Sequence, residues 1–331
     1  MATIFLTHIP DMLKNYYGER ALAALRQLGE VRLNPGDKVL DAKALAQAAR
    51  GCEIVVSDRQ TPGPAEFFAS VPDLVAFLRV AVDIRNIDVA AASAQGVLVT
   101  QATPGFIASV AEMAIGFMID CGRFVTQAAS EYHAGHAPQA RMGRQLKGST
   151  VGIIGYGVIG EYLAPLCTAL GMTVLIADPY KKVDVPSLTQ VALPDLLATS
   201  DFVICLAIAN KATENLMNAA AFTTMKPSAY FINLSRGNLV DEAALASALD
   251  AKQIAGVALD VGRAQDQMPT PSLARRADVI ATPHIAGLTP DAAEHQAFDT
   301  VNQVKALLAG RMPEGAANPQ AAHRLSRLKR A

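Results

Sequence analysis

Residues 150–160 read Thr-Val-Gly-Ile-Ile-Gly-Tyr-Gly-Val-Ile-Gly. An apolar run leads directly into Gly155-x-Gly157-x-x-Gly160, and a stretch with helical spacing follows. The pattern calls for a strand, a tight turn and a helix packed back on the strand. Gly155 permits the turn, Gly157 lets an anion approach the main chain, and Gly160 lets the helix sit close. The helix then starts at Val158 and Ile159, and its N-terminus favours negative charge. A second apolar run, 173–177, ends in Asp178, 18 residues past Gly160. A carboxylate there can accept from the ribose hydroxyls of an adenosine and would repel a 2′-phosphate. The loop therefore reads as an NAD site rather than an NADP site. No P-loop lysine follows, so triphosphate hydrolysis is not supported.

The rest of the chain repeats the same alternation. Short β-branched runs at 3–7, 31–33, 53–57, 74–80 and 97–100 are separated by Ala- and Leu-rich stretches such as 19–28 and 42–49. Further strands are expected at 151–154, 202–206, 230–233, 256–260 and 279–281. Alternation at this length implies parallel sheets flanked by helices. The fold class read from the sequence is α/β, with two Rossmann-like doubly wound sheets. One apolar helix is expected over 107–125, a polar arm over 130–144, and a last long helix over 290–309. A chain that enters a second domain near residue 102 and leaves near 288 can return to complete the first. The expected domains are thus 1–101 plus 289–331 and 102–288, with hinges near 101–103 and 287–290 that close a cleft on the substrate.

With 331 residues, 51% of them apolar, there is material for two such domains. The formal net charge of −1 leaves no basic surplus for a phosphate backbone, so no nucleic-acid partner is expected. Glu112 and Asp120 interrupt the most apolar stretch, so no membrane span is expected. The N-terminal residues read as a strand and not as a signal peptide. Cys52, Cys121, Cys167 and Cys205 are scattered and read as free thiols of a cytoplasmic protein. The basic end, Arg324, Arg327, Lys329 and Arg330, reads as a solvated tail. His133 and His136 fall in the arm without metal-ligand spacing, and no metal site is expected.

Three later segments place polar groups at strand ends, where open α/β sheets bind ligands. They are Asn233-Leu234-Ser235-Arg236-Gly237, Gly256-Val-Ala-Leu-Asp260, and Thr282-Pro-His284-Ile-Ala286-Gly287. With the glycine loop, Asn86-Ile-Asp88 and Ser109-Val-Ala-Glu112, these resemble the D-isomer-specific 2-hydroxyacid dehydrogenase family, in order and at family spacing over about residues 75–320. The resemblance implies that Arg236 binds the substrate carboxylate and polarises the carbonyl, for which its planar fork is suited. It implies that His284 exchanges a proton with the carbonyl oxygen. It implies that Asp260 holds the nicotinamide carboxamide, with Leu234, Ser235, Ala286 and Gly287 beside the cofactor. A homodimer is also implied, because the arm of family members wraps a neighbouring subunit.

The departures from the family bear on substrate and rate. The Glu expected five residues after Asp260, which would pair with His284, is Gln265; Asp266 is the neighbouring alternative. Formate dehydrogenases of the superfamily share this Gln, but they carry an Asn where this chain has Phe106, counted here among the substrate-binding residues. Formate-like hydride transfer without a proton relay is thus an alternative reading. A second alternative is a non-enzymatic NAD(H)-sensing corepressor-like protein. In the loop Val80-Ala-Val82-Asp83-Ile-Arg85-Asn86, main-chain N–H groups at 82 and 83 can bind an anion. Asp83 replaces the usual glycine, and either faces solvent or is compensated by Arg85 or by the substrate. Arg59 either contacts the distal end of the substrate or is solvated.

Overall fold

The computed structural model describes residues 2–328. The chain divides into two compact units, Met1–Gly105 with Pro290–Ala331, and Phe106–Thr289.

The first unit is built on β1 (Ala2–Leu6), β2 (Gly29–Leu33), β3 (Ile54–Ser57), β4 (Ala76–Arg79) and β5 (Leu98–Thr100). They form a parallel sheet in the order β2-β1-β3-β4-β5. Every residue of β3 and β4 is buried, as strands covered on both faces require. One face packs on Leu22, Leu25, Val301 and Val304. On the other, Phe77 of β4 packs against Phe67 and Phe68, and the three rings meet edge to face. The helix Pro290–Leu308 returns to this unit, where Tyr17 and Thr300 share a hydroxyl hydrogen bond of 3.1 Å. The unit keeps residues 102–105, four past the boundary expected from sequence. Their anchor is Thr103, whose N–H and hydroxyl both donate to Asp299, at 2.6 and 2.7 Å.

The second unit contains β6 (Thr150–Ile154), β7 (Thr173–Ala177), β8 (Thr189–Gln190), β9 (Phe202–Cys205), β10 (Tyr230–Asn233), β11 (Gly256–Leu259) and β12 (Val279–Ala281). The order is β12-β11-β10-β9-β6-β7-β8, all parallel. Strand order reverses between β6 and β9, and that point is where such sheets take ligands. The corresponding reversal in the first unit lies between β1 and β3.

Three expectations are corrected. The helix expected over 107–125 ends at Arg123, because Phe124 adopts a left-handed backbone with φ 58°. A second helix, Val125–His133, restarts there with Thr126 N–H donating to Asp120 at 2.7 Å. The first four residues of the expected arm are therefore helical, and the irregular segment begins only at Ala134. Arg324 is not in a solvated tail. It is buried and donates to the carbonyls of Val71 and Leu74 at 2.9 and 3.1 Å. Lys329 and Arg330 lie outside the described residues. All four cysteines are buried and unpaired. Among the described residues no helix is long and apolar enough to cross a membrane.

Candidate active site

The glycine loop joins β6 to the helix Val158–Ala169 at the reversal of strand order. Gly155 has φ 94°, and a Cβ there would meet the main chain of Ala207 at 2.8 Å. A Cβ at Gly160 would meet the Gly155 carbonyl at 2.7 Å, which fixes the close approach of the helix. At Gly157 nothing lies within 4 Å of the Cβ position. The two outer glycines serve the protein's own packing, and the middle one leaves room for a ligand. Gly157 is also the N-cap, so the first N–H groups of the helix, from Val158 on, lack side-chain caps and can receive phosphate oxygens.

Asp178 follows β7 directly. Its carboxylate accepts from the N–H groups of Tyr156, Tyr180 and Lys181 at 2.8, 2.8 and 2.9 Å. Partial burial alone would raise its pKa. The three N–H donors and the Lys181 charge outweigh burial and hold it below the usual carboxylate range. A fixed negative charge thus stands beside the glycine loop at neutral pH.

After β10, Asn233 shapes the turn that carries Arg236. Its side chain is fully buried, accepts from Ser235 N–H at 3.1 Å and donates to the Arg236 carbonyl at 3.0 Å. Ser235 donates to the Ala207 carbonyl at 2.6 Å, and Leu234 is buried. In the sequence Asn233 stands out only as part of a motif; its short polar side chain at a strand end is the signal that it shapes a turn.

Asp260 is buried after β11, where its carboxylate organises the histidine loop. Oδ1 accepts from Thr282 Oγ1 at 2.6 Å and Ile285 N–H at 2.8 Å; Oδ2 accepts from Ala286 N–H at 2.9 Å. Its main-chain carbonyl takes the His284 N–H at 2.9 Å. His284 is held at φ 57°, a backbone that a non-glycine residue adopts only under constraint. Its ring Nδ1 lies 2.8 Å from the main-chain carbonyl of Asp266. A carbonyl can only accept, so Nδ1 carries the proton and Nε2 is the atom left to exchange one. The 265–267 loop makes this contact possible because Asp266 and Gln267 both have positive φ, 56° and 60°. The histidine thus meets a main-chain oxygen of Asp266, whereas Gln265 is exposed. Phe106 sits at the start of the helix Ile107–Arg123, and a Cβ on Gly287 would come within 3.0 Å of the Phe106 Cβ.

In the first unit, Arg59 follows β3 and the loop bearing Val82 and Asp83 follows β4. Asp83 is compensated within its own loop: Arg85 Nη2 reaches Asp83 Oδ2 at 2.5 Å and Nε reaches it at 2.9 Å.

Residues 115–286 match the model of the D-isomer specific 2-hydroxyacid dehydrogenase NAD-binding domain, just over half of the chain. The chain belongs to this family. Its second unit is the family's NAD-binding domain, and NAD is its cofactor. Among family members, D-3-phosphoglycerate dehydrogenase of Archaeoglobus fulgidus is 34% identical over 298 residues, 87% of this chain and 56% of that protein. The (S)-sulfolactate dehydrogenase of Chromohalobacter salexigens is 33% identical over 304 residues, 90% of this chain and 97% of that protein. The chain therefore spans about half the length of the first relative and nearly all of the second. A D-2-hydroxyisocaproate dehydrogenase structure superposes with a TM-score of 0.86 over 96% of this chain and 100% of that one, at 24% identity. A D-lactate dehydrogenase from Sporolactobacillus sp. gives 0.80 over 96% and 99%, at 28% identity.

The charge of Asp178 gives a first prediction for this family member. Asp178→Ser keeps a short acceptor for the neighbouring N–H groups but removes the repulsion toward a 2′-phosphate. The ratio of kcat/KM for NADPH to that for NADH is expected to rise about tenfold, equivalent to about 1.4 kcal/mol of discrimination. A wild-type preference for NADPH, or an unchanged ratio in the variant, would reject this role for Asp178.

Proposed function

We propose that the protein reduces a 2-oxo acid to its D-2-hydroxy acid with NADH, and runs the reverse oxidation with NAD. The observation that carries this reading is His284. Its Nδ1–H is committed to the Asp266 carbonyl, and its Nε2 is left to give or take a proton. It stands at the end of the same sheet that carries the glycine loop and Arg236. Gly155, Gly157 and Gly160 with the helix start at Val158 and Ile159 would hold the pyrophosphate, and Asp178 the adenosine ribose. Leu234, Ser235, Ala286 and Gly287 would flank the nicotinamide. Asp260 acts chiefly by ordering the 282–286 loop, with a remaining lone pair for the carboxamide. The bound cofactor supplies or accepts the hydride. Arg236 binds the substrate carboxylate and draws electron density from the adjacent carbonyl. In reduction, His284 delivers its Nε2 proton to the carbonyl oxygen as that oxygen gains charge; in oxidation it takes the hydroxyl proton.

The first unit is proposed as the substrate domain, with Arg59, Val82 and Asp83 meeting the rest of the acid. Gln265 supplies no charge beside His284, and the histidine is oriented by its hydrogen bond to the Asp266 main-chain carbonyl. A homodimer in the cytoplasm is proposed as well. Its support is a run of exposed apolar side chains, Ile119, Val125, Tyr132 and Met142, the last 97% exposed. They accompany a cavity of about 510 Å³ bordered by Phe124, Arg141 and Tyr230. Light scattering at micromolar concentration should give twice the chain mass. The catalytic reading is tested by following NADH oxidation with glyoxylate, hydroxypyruvate, phenylpyruvate and other 2-oxo acids. Absence of turnover across such a panel would overturn it.

A further inference from the structure

Arg79, the last residue of β4, is fully buried. Its Nη1 donates to Ser57 Oγ at 3.0 Å, to the Thr61 carbonyl at 3.1 Å, and to the Asp58 carbonyl. Its Nη2 donates to Asn86 Oδ1. Asn86 extends the link, since its Nδ2 lies 3.5 Å from the Arg59 carbonyl and its own carbonyl accepts from Gly63 N–H at 3.0 Å. One guanidinium therefore ties together the loop after β3, which carries Arg59, and the loop after β4, which carries Val82 and Asp83. Asp58 locks the first loop from its other side. Its buried carboxylate accepts from Thr7 Oγ1 at 2.6 Å, Gln60 N–H at 2.7 Å, Thr61 N–H at 3.0 Å and Thr61 Oγ1 at 2.6 Å. Thr7 follows β1, so this cluster lies at the reversal of strand order between β1 and β3.

A buried cation is costly to desolvate, and apolar packing of the same volume is often as stable. The hydrogen bonds of Arg79 go mainly to loop carbonyls and to one loop side chain, while its Nε has no hydrogen-bond partner among the described residues. Three of its four bonds thus fix loop geometry, and the one to Ser57 Oγ reaches the end of β3. Burial pushes the guanidinium down to about 10, so it stays charged at neutral pH.

We propose that Arg79 is a positioning residue for substrate recognition, holding the 58–61 and 82–86 loops in the register that presents Arg59 and the 82–83 main chain to the acid. This rests on the dehydrogenase reading above. Lysine keeps the charge but lacks the fork that reaches two loops at once. Arg79→Lys is therefore expected to raise KM for the 2-oxo acid about tenfold, with kcat and KM for NADH within about threefold of wild type, because loop misplacement affects the substrate alone. Asn86→Ala, which removes the Arg79 bond to the second loop and the 3.5 Å contact of Asn86 Nδ2 with the Arg59 carbonyl but leaves the other Arg79 bonds in place, should shift KM in the same direction by less, and it carries the test if Arg79→Lys does not fold. Amide hydrogen exchange should quicken in residues 58–63 and 80–88 of both variants. Wild-type turnover with an unchanged KM in the variants would overturn the proposal alone. Parallel losses for substrate and NADH, or unaltered exchange in the two loops, would do the same. A wild-type protein inert toward every 2-oxo acid would overturn the dehydrogenase reading itself, without recourse to any variant.

Discussion

His284→Asn is expected to lower kcat for 2-oxo acid reduction about a hundredfold to ten-thousandfold, the range that a positioned general acid contributes. Asparagine is the informative replacement because His284 has φ 57°, and asparagine is one of the few side chains that tolerate that region. Alanine would add backbone strain to the lost chemistry. The asparagine amide can still donate toward the Asp266 carbonyl, which holds the histidine ring at 2.8 Å, so the loop over Asp260 should persist. What is lost is the ring Nε2 that would exchange a proton with the substrate oxygen. The affinity for NADH, measured by fluorescence titration, should stay within about threefold of wild type, since an interaction made mainly in the transition state has been removed. A variant that keeps kcat within about threefold would remove His284 from the chemistry and revive a hydride transfer that needs no proton relay.

The features legible in the sequence were those that a single residue type enforces locally. Gly155, Gly157 and Gly160 could be assigned distinct jobs because each job excludes a side chain for a different reason, and the structure keeps two sites crowded and one open. The doubly wound sheets followed from the alternation of elements, since parallel strands need a helical crossover between them. The partner of His284 was not legible. A search among side chains asks for Gln265 or Asp266, whereas the atom in contact is a main-chain carbonyl, which any residue could supply. Its position depends on two successive residues with positive φ, and neither is glycine. Asp260 shows the same difficulty: the motif marked it as important, but its three loop donors emerge only once 282–286 folds over it. Phe124 ends a helix that its apolar pattern would continue, because Asp120 offers a better start to the next one. Arg79 and Arg324 were invisible for a simpler reason. Arginines are mostly exposed, and nothing in sequence marks these two as buried.

His8 gives the second large effect, on stability rather than rate. It follows β1, is 2% exposed, and packs edge-on against the Tyr17 ring with centroids 5.1 Å apart. Neither ring nitrogen has a hydrogen-bond partner among the described residues. Burial drives its pKa down from 6.5 to about 4; the Asp58 carboxylate opposes the change and the Arg79 charge adds to it. The folded chain thus keeps His8 neutral where the unfolded chain would protonate it. The neutral ring costs nothing extra above about pH 6.5, where both states are uncharged. As pH falls from there toward 4 the unfolded state gains a proton that the folded state refuses, and stability is lost. The loss should reach about 2 to 3 kcal/mol by pH 4.5, because each pH unit between the two protonation midpoints is worth about 1.4 kcal/mol. His8→Leu fills similar space and cannot titrate. Urea unfolding at pH 7 and pH 4.5 should therefore show wild type losing about 2 to 3 kcal/mol more than the variant across that interval. The comparison cancels the carboxylates remote from His8 that both proteins share, while Asp58, which feels the His8 charge, does not cancel. Parallel losses in the two proteins would mean that His8 titrates normally and is open to water, and the buried polar cluster behind the 58–61 and 82–86 loops would then have to be redrawn.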